Sequence, residues 1–333
     1  MSPNLRRSIL ISLAIGLAVA VVLGLASDIR SVGQGFAAFH WSVVPAVLGF
    51  TLLNYLLRWL KWEYYLRVTG MGQGVDRGDS ALLFTSGMVM AVTPGKIGEV
   101  LKSYLLRRIN GTPVSASAPI VLAERLTDGL GMLLLMGLGL TFYPPAQPAF
   151  ALLVLLSVAG IVIVQRRSLF ERAVALLEGV PLGRRVAPRL AAMYESTHQL
   201  LQWRILVVST LISLVSWFGE CVALYFVLLG LNQPPSLHLL LVATFVFAAS
   251  TLFGLVSFLP GGLGVSEASS AGLLVLLVPI ATGPATVATL IIRFCTLWFG
   301  VSLGALALAI VSRRYRGLAG STGEPLEAAV HEV

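Results

Sequence analysis

The feature that most restricts the fold of this chain is how few charges its second half carries. Between residues 205 and 311, only Glu220, Glu267 and Arg293 have a formal charge. Apolar runs of about 17 to 25 residues are long enough to cross a bilayer as helices, and this region holds several of them. Charged residues make up 11% of the whole chain, against about 25% in soluble domains. The sequence therefore predicts an all-α polytopic membrane protein.

The arginines cluster in loops and at the ends of the apolar runs, which is the pattern of the positive-inside rule. It predicts a multi-pass membrane protein with both termini in the cytoplasm. Six full spans are predicted, at residues 8–27, 41–57, 114–143, 149–165, 205–229 and 285–311. Residues 1–316 form one integral-membrane domain in this prediction, with a cytoplasmic basic loop at 166–204 and a disordered cytoplasmic tail at 317–333.

Two of these segments have an alternative interpretation. The first span could be a signal peptide, because Gly24-Leu25-Ala26 resembles a small-x-small cleavage site. The basic loop could hold amphipathic helices at the inner leaflet or be a plain solvated linker. After the second span, cations alternate with aromatic residues, which is typical of an anchor at the membrane interface; these residues are Arg58, Trp59, Lys61, Trp62, Tyr64 and Tyr65.

Two segments are predicted to be re-entrant helical hairpins. The apolar run at residues 80–93 is about 21 Å long as a helix, too short for a hydrocarbon core of about 30 Å. It stops at Pro94-Gly95 and is followed by an amphipathic helix at 97–108 with a basic end. Irregular backbone at membrane depth survives only when it is buried in protein or lines a wet cavity. A pair of helices lying on the membrane surface is the alternative.

The second hairpin is predicted at residues 237–278. Its apolar run breaks at Pro260-Gly261-Gly262, where no charge marks a cytoplasmic surface. Along the chain, the predicted membrane segments of the first half are then a span, a span, a hairpin and a span, and the second half has the same order. An odd number of crossings in each half gives a 3+3 inverted repeat, with repeat one at about 8–143 and repeat two at about 149–311. The predicted hinges are the Pro and Gly residues of the two breaks: Pro94, Gly95, Gly98, Pro260, Gly261 and Gly264.

Each break is followed by a carboxylate, and each carboxylate is followed by an arginine 26 residues later. Glu99 precedes Arg125, and Glu267 precedes Arg293. A charge at the centre of a span costs about 2.5–3.5 kcal/mol, so such residues face the protein interior or a wet cavity. Arg293 has no acid in its own span, and the counter-charge it needs must be supplied by another residue or by a bound anion; the residues that could supply it are Glu267, Glu220 and Asp128.

The cations near the breaks are predicted to bind a phosphate. Lys96 lies beside a helix start, where free backbone N–H groups and the helix dipole favour an anion. The predicted substrate-binding residues are therefore Lys96, Arg125 and Arg293. A coupling or charge-balancing role is predicted for Glu99, Glu124, Asp128 and Glu267. For Glu124 and Asp128 a purely structural charge network is the alternative, and Glu99 and Glu267 could simply stabilise the dipoles of their helices.

Catalytic and cofactor motifs are missing from the sequence. The four histidines lack metal-ligand spacing, and the two cysteines lie within apolar segments, as free thiols would. Neither a nucleophile elbow nor a phosphate-binding G-x-x-x-x-G-K-[ST] loop occurs. We therefore predict a non-enzyme without cofactors. The basic residues fit loop charge rather than a nucleic-acid surface.

Three stretches resemble a known family. They are TPGKIGEVLKSYLLRR (93–108), ERLTDGLG (124–131) and LPGGLGVSEAS (259–269), and they are similar to the lysylphosphatidylglycerol synthase transmembrane family. That family includes the flippase-like domain of the multiple peptide resistance factor. The residues that fall on its motifs are Gly95, Glu99, Glu124, Arg125, Asp128, Gly261, Gly264, Glu267 and Arg293. In that family the aminoacyl-transferring activity belongs to a separate soluble domain, and no segment of this sequence is long or polar enough to form one.

The resemblance implies a protein of the bacterial cytoplasmic (inner) membrane that moves a phospholipid or a lipid-linked headgroup across it. The expected partner is a membrane phospholipid or a polyprenyl-phosphate-type lipid, with a homodimer as an open possibility. Two other functions stay open at this point. One is transport of a small soluble anion, and the other is a non-transporting membrane subunit that anchors a soluble enzyme through the basic loop.

Overall fold

The computed structural model describes residues 28–93, 99–179 and 193–314. Several predictions fall outside these residues: the first span, the tail, the middle of the basic loop, and four site or hinge residues, Pro94, Gly95, Lys96 and Gly98. The described part of the chain is helical and contains no β-strand. The predicted all-α fold is confirmed for these residues.

The α-helices are numbered here in chain order. They are α1 (Ile29–Ala38), α2 (Val44–Val68), α3 (Arg77–Gly87), α4 (Leu101–Asn110), α5 (Val114–Leu138), α6 (Gln147–Gln165), α7 (Arg167–Glu178), α8 (Trp203–Gly230), α9 (Leu237–Val256), α10 (Val265–Leu277), α11 (Thr282–Arg293) and α12 (Phe299–Arg314). Short 3₁₀ segments follow α3 and α9, at Met88–Val92 and Pro260–Gly262. A π-helical turn, Phe294–Trp298, joins α11 to α12.

Six helical segments in the described part are long and apolar enough to cross a membrane: Trp41–Val68, Pro144–Gln165, Trp203–Gly230, Leu237–Val256, Pro260–Leu277 and Thr282–Arg314. Four of them match predicted spans. The other two are the arms of the second predicted hairpin, so length and composition would allow either arm to cross. Helix α5, predicted as a span, has 25 residues but carries three charges within it. The re-entrant geometry stays a prediction.

The second predicted break lies where the sequence places proline and glycine. Helix α9 ends at Val256, and the chain then turns through Gly261 at φ 62° and Gly264 at φ 89° before α10 begins. Residues with a β-carbon rarely adopt such positive φ values, whereas glycine does so at little cost. A change of chain direction is therefore encoded locally at this turn.

The prediction of an interfacial anchor after residue 57 is wrong. Helix α2 continues to Val68, and four residues of the supposed anchor point into the protein. Arg58 is 8% exposed, and Lys61, Trp62 and Tyr65 are 0% exposed. Their spacing of three and four residues places them on one face of the helix, and that face packs against the rest of the bundle.

The core is built around α2 and α8, which pack along each other, and α8 also contacts α5 and α9. Helix α3 and the 3₁₀ segment after it pack on α12, while α9 packs on α5. The approach of α12 is close at Gly304, where a β-carbon would lie 2.4 Å from the backbone nitrogen of Val89. Helix α6 lies at the edge and has no buried residue, as expected for an apolar helix that faces lipid.

Candidate functional site

Seven charged side chains from α2, α4, α5 and the turn before α4 converge in the bundle interior. We call them the charge cluster; they are Arg58, Lys61, Glu99, Lys102, Glu124, Arg125 and Asp128. None of these side chains is more than 14% exposed. The cluster contains four basic and three acidic side chains, so its formal charge is positive.

Most members of the charge cluster are tightly paired. Lys61 Nζ lies 2.5 Å from Asp128 Oδ1 and donates a hydrogen bond of 2.7 Å to Ser213 Oγ. Lys102 donates to Glu124, and its ammonium lies over the ring of Trp62 at 4.9 Å. Buried charges persist when they are paired and hydrogen-bonded in this way. Lys61 and Lys102 are therefore committed to carboxylates of the cluster.

The two arginines of the cluster are held less completely. Arg58 lies 3.9 Å from Glu99 and 4.0 Å from Asp128, at the outer limit of an ion pair. Its guanidinium also faces the ring of Trp217 at 5.6 Å. Arg125 Nη2 lies 3.2 Å from both Glu99 and Asp128, but its Nε makes no hydrogen bond with any described residue. Both arginines thus keep N–H donors that an additional anion could use.

A second centre forms at the other break. Arg293 Nε lies 2.5 Å from Glu267 Oε1, and Arg293 Nη2 donates a hydrogen bond of 2.8 Å to the carbonyl of Gly261. The other carboxylate oxygen of Glu267 accepts a hydrogen bond of 2.7 Å from the backbone N–H of Gly264, at the start of α10. Glu267 therefore serves both roles considered from the sequence, since it caps its helix and supplies the counter-charge of Arg293.

The recurrent separation of 26 residues has the same structural meaning in both halves. Glu99 pairs with Arg125 at 3.2 Å, and Glu267 pairs with Arg293 at 2.5 Å. In each case a carboxylate just after a break contacts an arginine 26 residues later, which lies on α5 in the first half and on α11 in the second. The repeated spacing thus produces a repeated ion pair.

Two clefts lie between these centres. The first encloses about 630 Å³, part of it open to the outside, and is lined by Arg125, Asp128, Gly261 and Arg293 among others. The second encloses about 590 Å³ and is lined by Arg58, Glu99, Glu220 and Arg293 among others. Arg293 lines both clefts, as do Trp217, Thr251 and Leu297. The structure thus brings the predicted Arg125 and Arg293 to one cleft.

The remaining predicted residues have different positions. Glu124 lies behind the clefts, paired with Lys102, and lines neither of them. Pro260 opens the 3₁₀ segment of the second break. Lys96, which was expected to complete the phosphate site, lies outside the described residues together with the first set of hinges.

Sequence reasoning missed Arg58, Lys61 and Lys102 as buried site residues. For α2 a signal was present, because polar residues recur at intervals of three and four along the helix and all are buried: Thr51, Asn54, Arg58, Lys61 and Tyr65. This stripe faces polar side chains of α8. Asn54 donates to Ser216 Oγ at 2.8 Å, and Thr51 donates to Glu220 Oε2 at 3.2 Å. A polar stripe in a spanning helix predicts a protein-facing side.

Within the described ranges, no three His, Cys, Asp or Glu side chains are grouped so that they could hold a metal ion. The acids of the site are instead paired with cations, with the exception of Glu220. The chemistry that the described site offers is recognition of an anion by guanidinium groups.

Comparison with known proteins gives one family. The family model described as "Lysylphosphatidylglycerol synthase TM region" matches residues 9–304. Similar proteins include two from Methanothermobacter thermautotrophicus, both named "UPF0104 membrane protein". One is 25% identical over 314 residues, covering 89% of this chain and 90% of the relative. The other is 26% identical over 317 residues, covering 80% of this chain and 83% of the relative.

Proposed function

The chain belongs to the membrane-embedded family of the lysylphosphatidylglycerol synthase TM region, and from that premise we propose that it moves a phospholipid or a lipid-linked headgroup across the cytoplasmic membrane. The headgroup phosphate binds in the two clefts, to Arg125, Arg293 and Arg58. The acyl chains stay in the surrounding lipid during the movement. Both termini lie in the cytoplasm, as the distribution of loop arginines predicts.

The observation that carries this proposal is that one arginine from each half lines the same cleft. Arg125 comes from α5 and Arg293 from the end of α11, and each is steadied by the carboxylate that follows a break. The planar guanidinium group matches the geometry of phosphate oxygens and stays charged at every physiological pH. The excess of cations in the charge cluster also favours an anionic ligand in a region of low dielectric constant.

The edge of the first cleft favours a lipid over a small soluble anion. Leu259 lines that cleft and is 44% exposed, and the neighbouring Phe258 is 71% exposed. A cleft with such a rim opens towards apolar surroundings, where a headgroup could enter while its acyl chains remain outside. A transporter of soluble anions needs instead a polar path that can be closed at both faces.

The proposed movement uses two inverted repeats whose hairpins open alternately to each leaflet. Support comes from the packing between the two repeats, in which α3 would correspond to α9 and α5 to α12. Helix α3 and the segment after it, from the first hairpin, pack on α12, and α9 from the second hairpin packs on α5. The corresponding helices α2 and α8 pack on each other, and the 3₁₀ segments Met88–Val92 and Pro260–Gly262 are in contact. Two units related by a two-fold axis would exchange contacts in this way.

The test is transport in vesicles of defined composition. The purified protein is reconstituted with a trace of headgroup-labelled anionic phospholipid, and the label in the outer leaflet is followed with an impermeant quencher. Arg125→Ala and Arg293→Ala should each slow movement at least about tenfold, because each removes a hydrogen bond to a charged group. Arg167→Ala is the matched control, since Arg167 is 70% exposed and pairs with Glu171 on the surface.

Three results separate the alternatives. If both cleft variants move lipid as fast as the wild type, the site assignment is wrong. If soluble phosphate abolishes lipid movement and is itself taken up, the protein is an anion transporter. If the wild type moves neither lipid nor anion, the anchoring function becomes the better explanation.

A further inference from the structure

Five carboxylates in the described part of the chain are no more than 5% exposed. Four of them have a cation at ion-pair distance: Glu99, Glu124, Asp128 and Glu267. The fifth is Glu220 on α8, which is 1% exposed and has no Lys or Arg within that distance among the described residues. Within the described part of the chain its one hydrogen bond comes from the hydroxyl of Thr51, which donates to Oε2 at 3.2 Å.

This difference decides which carboxyl can bind a proton. An ionised carboxylate buried without a cation costs several kcal/mol, and protonation removes that cost. A carboxylate in contact with an arginine or lysine gains little from protonation, because the pair would be broken. Among the described buried carboxylates, Glu220 is therefore the one at which a proton would take the place of a missing cation.

Glu220 also lines a cleft, so a proton can reach it. It lines the second cleft together with Arg58 and Arg293, two of the proposed phosphate ligands. The bond from Thr51 occupies Oε2 and leaves Oε1 to carry the proton. The titratable or charged groups that surround it come from α2, α8, the turn before α4, and the last span: Tyr55, Arg58, Cys221, Glu99, Arg293 and Cys295. Helix α9 contributes Phe247 and Thr251, which do not titrate.

We propose that Glu220 is a proton-binding carboxyl and that its protonation is coupled to passage of an anionic headgroup through the second cleft. Glu220 takes a proton from water on one side of the membrane and returns it to water on the other side. An ionised Glu220 would attract Arg58 and Arg293 and so compete with a phosphate for them. A protonated Glu220 leaves both guanidinium groups to the phosphate, so proton and headgroup bind together and travel in the same direction. The coupling rests on the proposed function, whereas proton binding does not.

Infrared spectroscopy of the reconstituted wild-type protein tests proton binding without any lipid assay. We expect a carbonyl stretching band of a protonated carboxylic acid near neutral pH that is lost in Glu220→Gln. The matched control is Asp79→Asn, which removes a carboxylate that is 9% exposed, pairs with Arg314 and lines neither cleft, and which should leave the band in place. Glu220→Asp keeps a carboxyl and should show a shifted band, which covers the case in which Glu220→Gln does not fold. A band that survives in Glu220→Gln, or is absent from the wild type, overturns proton binding.

Vesicles with an imposed pH gradient test the coupling. In the wild type, the labelled anionic lipid should accumulate in the leaflet on the alkaline side, by up to about tenfold per pH unit for one coupled proton. In Glu220→Gln, the leaflet populations with and without the gradient should be equal. A Glu220→Gln protein that still responds like the wild type overturns the coupling. If neither protein moves lipid but the band is present, proton binding stands and the proposed function, with its coupling, is wrong.

Discussion

Arg293 has two defined partners, the carbonyl of Gly261 in the turn between α9 and α10 and the carboxylate of Glu267 in the first turn of α10. Replacing it with alanine leaves Glu267 buried with only the N–H of Gly264 as a partner. Loss of one member of a buried pair costs about 3–5 kcal/mol, so Arg293→Ala should lower the thermal unfolding temperature in detergent. The double variant Arg293→Ala/Glu267→Gln should recover much of that stability, since glutamine can still accept the Gly264 hydrogen bond.

Transport distinguishes a binding role of Arg293 from a structural one. The stabilised double variant should remain as slow in lipid movement as Arg293→Ala, because the phosphate ligand is still missing. Full recovery of transport together with stability would show that Arg293 only neutralises Glu267. Arg293→Lys is the second comparison: it keeps the charge but lacks the planar fork of donors with which the guanidinium contacts Glu267 and the Gly261 carbonyl together, so intermediate rates are expected.

Lys102 and Glu124 are expected to be structural, in contrast to Arg293. The pair is buried, lines neither described cleft, and packs against the ring of Trp62. Glu124→Gln alone should destabilise the protein by about 3–5 kcal/mol, because it leaves the ammonium of Lys102 with a weaker partner. Lys102→Met/Glu124→Leu removes both charges at similar volume and should be close to wild type in thermal stability.

Lipid movement by the double variant completes this prediction. The rate should stay within about threefold of the wild type, a difference of less than 1 kcal/mol in activation free energy. A loss as large as that of Arg293→Ala would instead assign the pair to the transport site. The result therefore decides between the two roles that the sequence left open for Glu124.

At the scale of elements, the π-helical turn between α11 and α12 directly follows Arg293. Such turns interrupt the regular hydrogen bonding of a helix and are frequent at functional sites. Here the hydroxyl of Tyr55 on α2 donates a hydrogen bond to the backbone carbonyl of Thr296, so a neighbouring helix stabilises the turn. The side chain of Leu297, within the turn, lines both clefts. A change in this turn would therefore alter both clefts at once.

Tyr55→Phe should loosen that turn without disturbing the packing of the ring. Loss of one buried hydrogen bond costs about 0.5–1.5 kcal/mol. Amide hydrogen exchange at residues 294–300 should therefore accelerate by the factor that corresponds to this free energy. Tyr104→Phe is the matched control, because the Tyr104 hydroxyl bonds to Arg108 on its own helix. Unchanged exchange in Tyr55→Phe would mean that the turn is stable without this tie.

The sequence was sufficient for the local features and insufficient for those that depend on packing. The break at Pro260–Gly262 could be predicted, and so could the need of Arg293 for a counter-charge, because proline, glycine and an unpaired charge each impose a local requirement. Which of the candidates supplies that charge could not be predicted, and the structure shows that it is Glu267. The burial of Arg58 and Lys61 was not recognised, because cations beside aromatic residues occur equally at a membrane interface. The stripe of polar residues along α2 separates the two cases, since an interfacial belt does not require one helical face.

The lengths of helices were also only partly predictable. An apolar run gives a minimum length for a span, but a helix can continue through polar residues when a protein partner satisfies them. Helix α2 does so for a further eleven residues beyond Leu57, up to Val68, because α5 and α8 provide Asp128 and Ser213 for Lys61. Such partners are distant in sequence, and a single sequence does not reveal them.

At the scale of the whole molecule, the depth of the turn between α9 and α10 decides the architecture. The start of α9 and the end of α10 lie on the same side of the membrane whether the two helices are full spans or form a re-entrant hairpin. The charge of the flanking loops therefore cannot distinguish the two arrangements. The surface of the turn is informative, because Val256, Phe258 and Leu259 are 52%, 71% and 44% exposed. Large apolar side chains at the tip of a water-exposed loop are unfavourable, whereas lipid accommodates them.

A cysteine at the tip of this turn tests its depth. In a Cys221→Ala/Cys295→Ala background, Phe258→Cys should resist a membrane-impermeant maleimide applied from either side and react with a small membrane-permeant reagent. Asn232→Cys and Gln73→Cys serve as controls for the two faces, since they lie in the turns after α8 and α2 and should each react from one side only, opposite to one another. Rapid reaction of Phe258→Cys from the side on which Gln73→Cys reacts would show that α9 and α10 both cross the membrane. In that case the two clefts would extend further towards the cytoplasm than the inverted-repeat architecture allows, and Arg293 would lie nearer to that surface than to the middle of the bilayer.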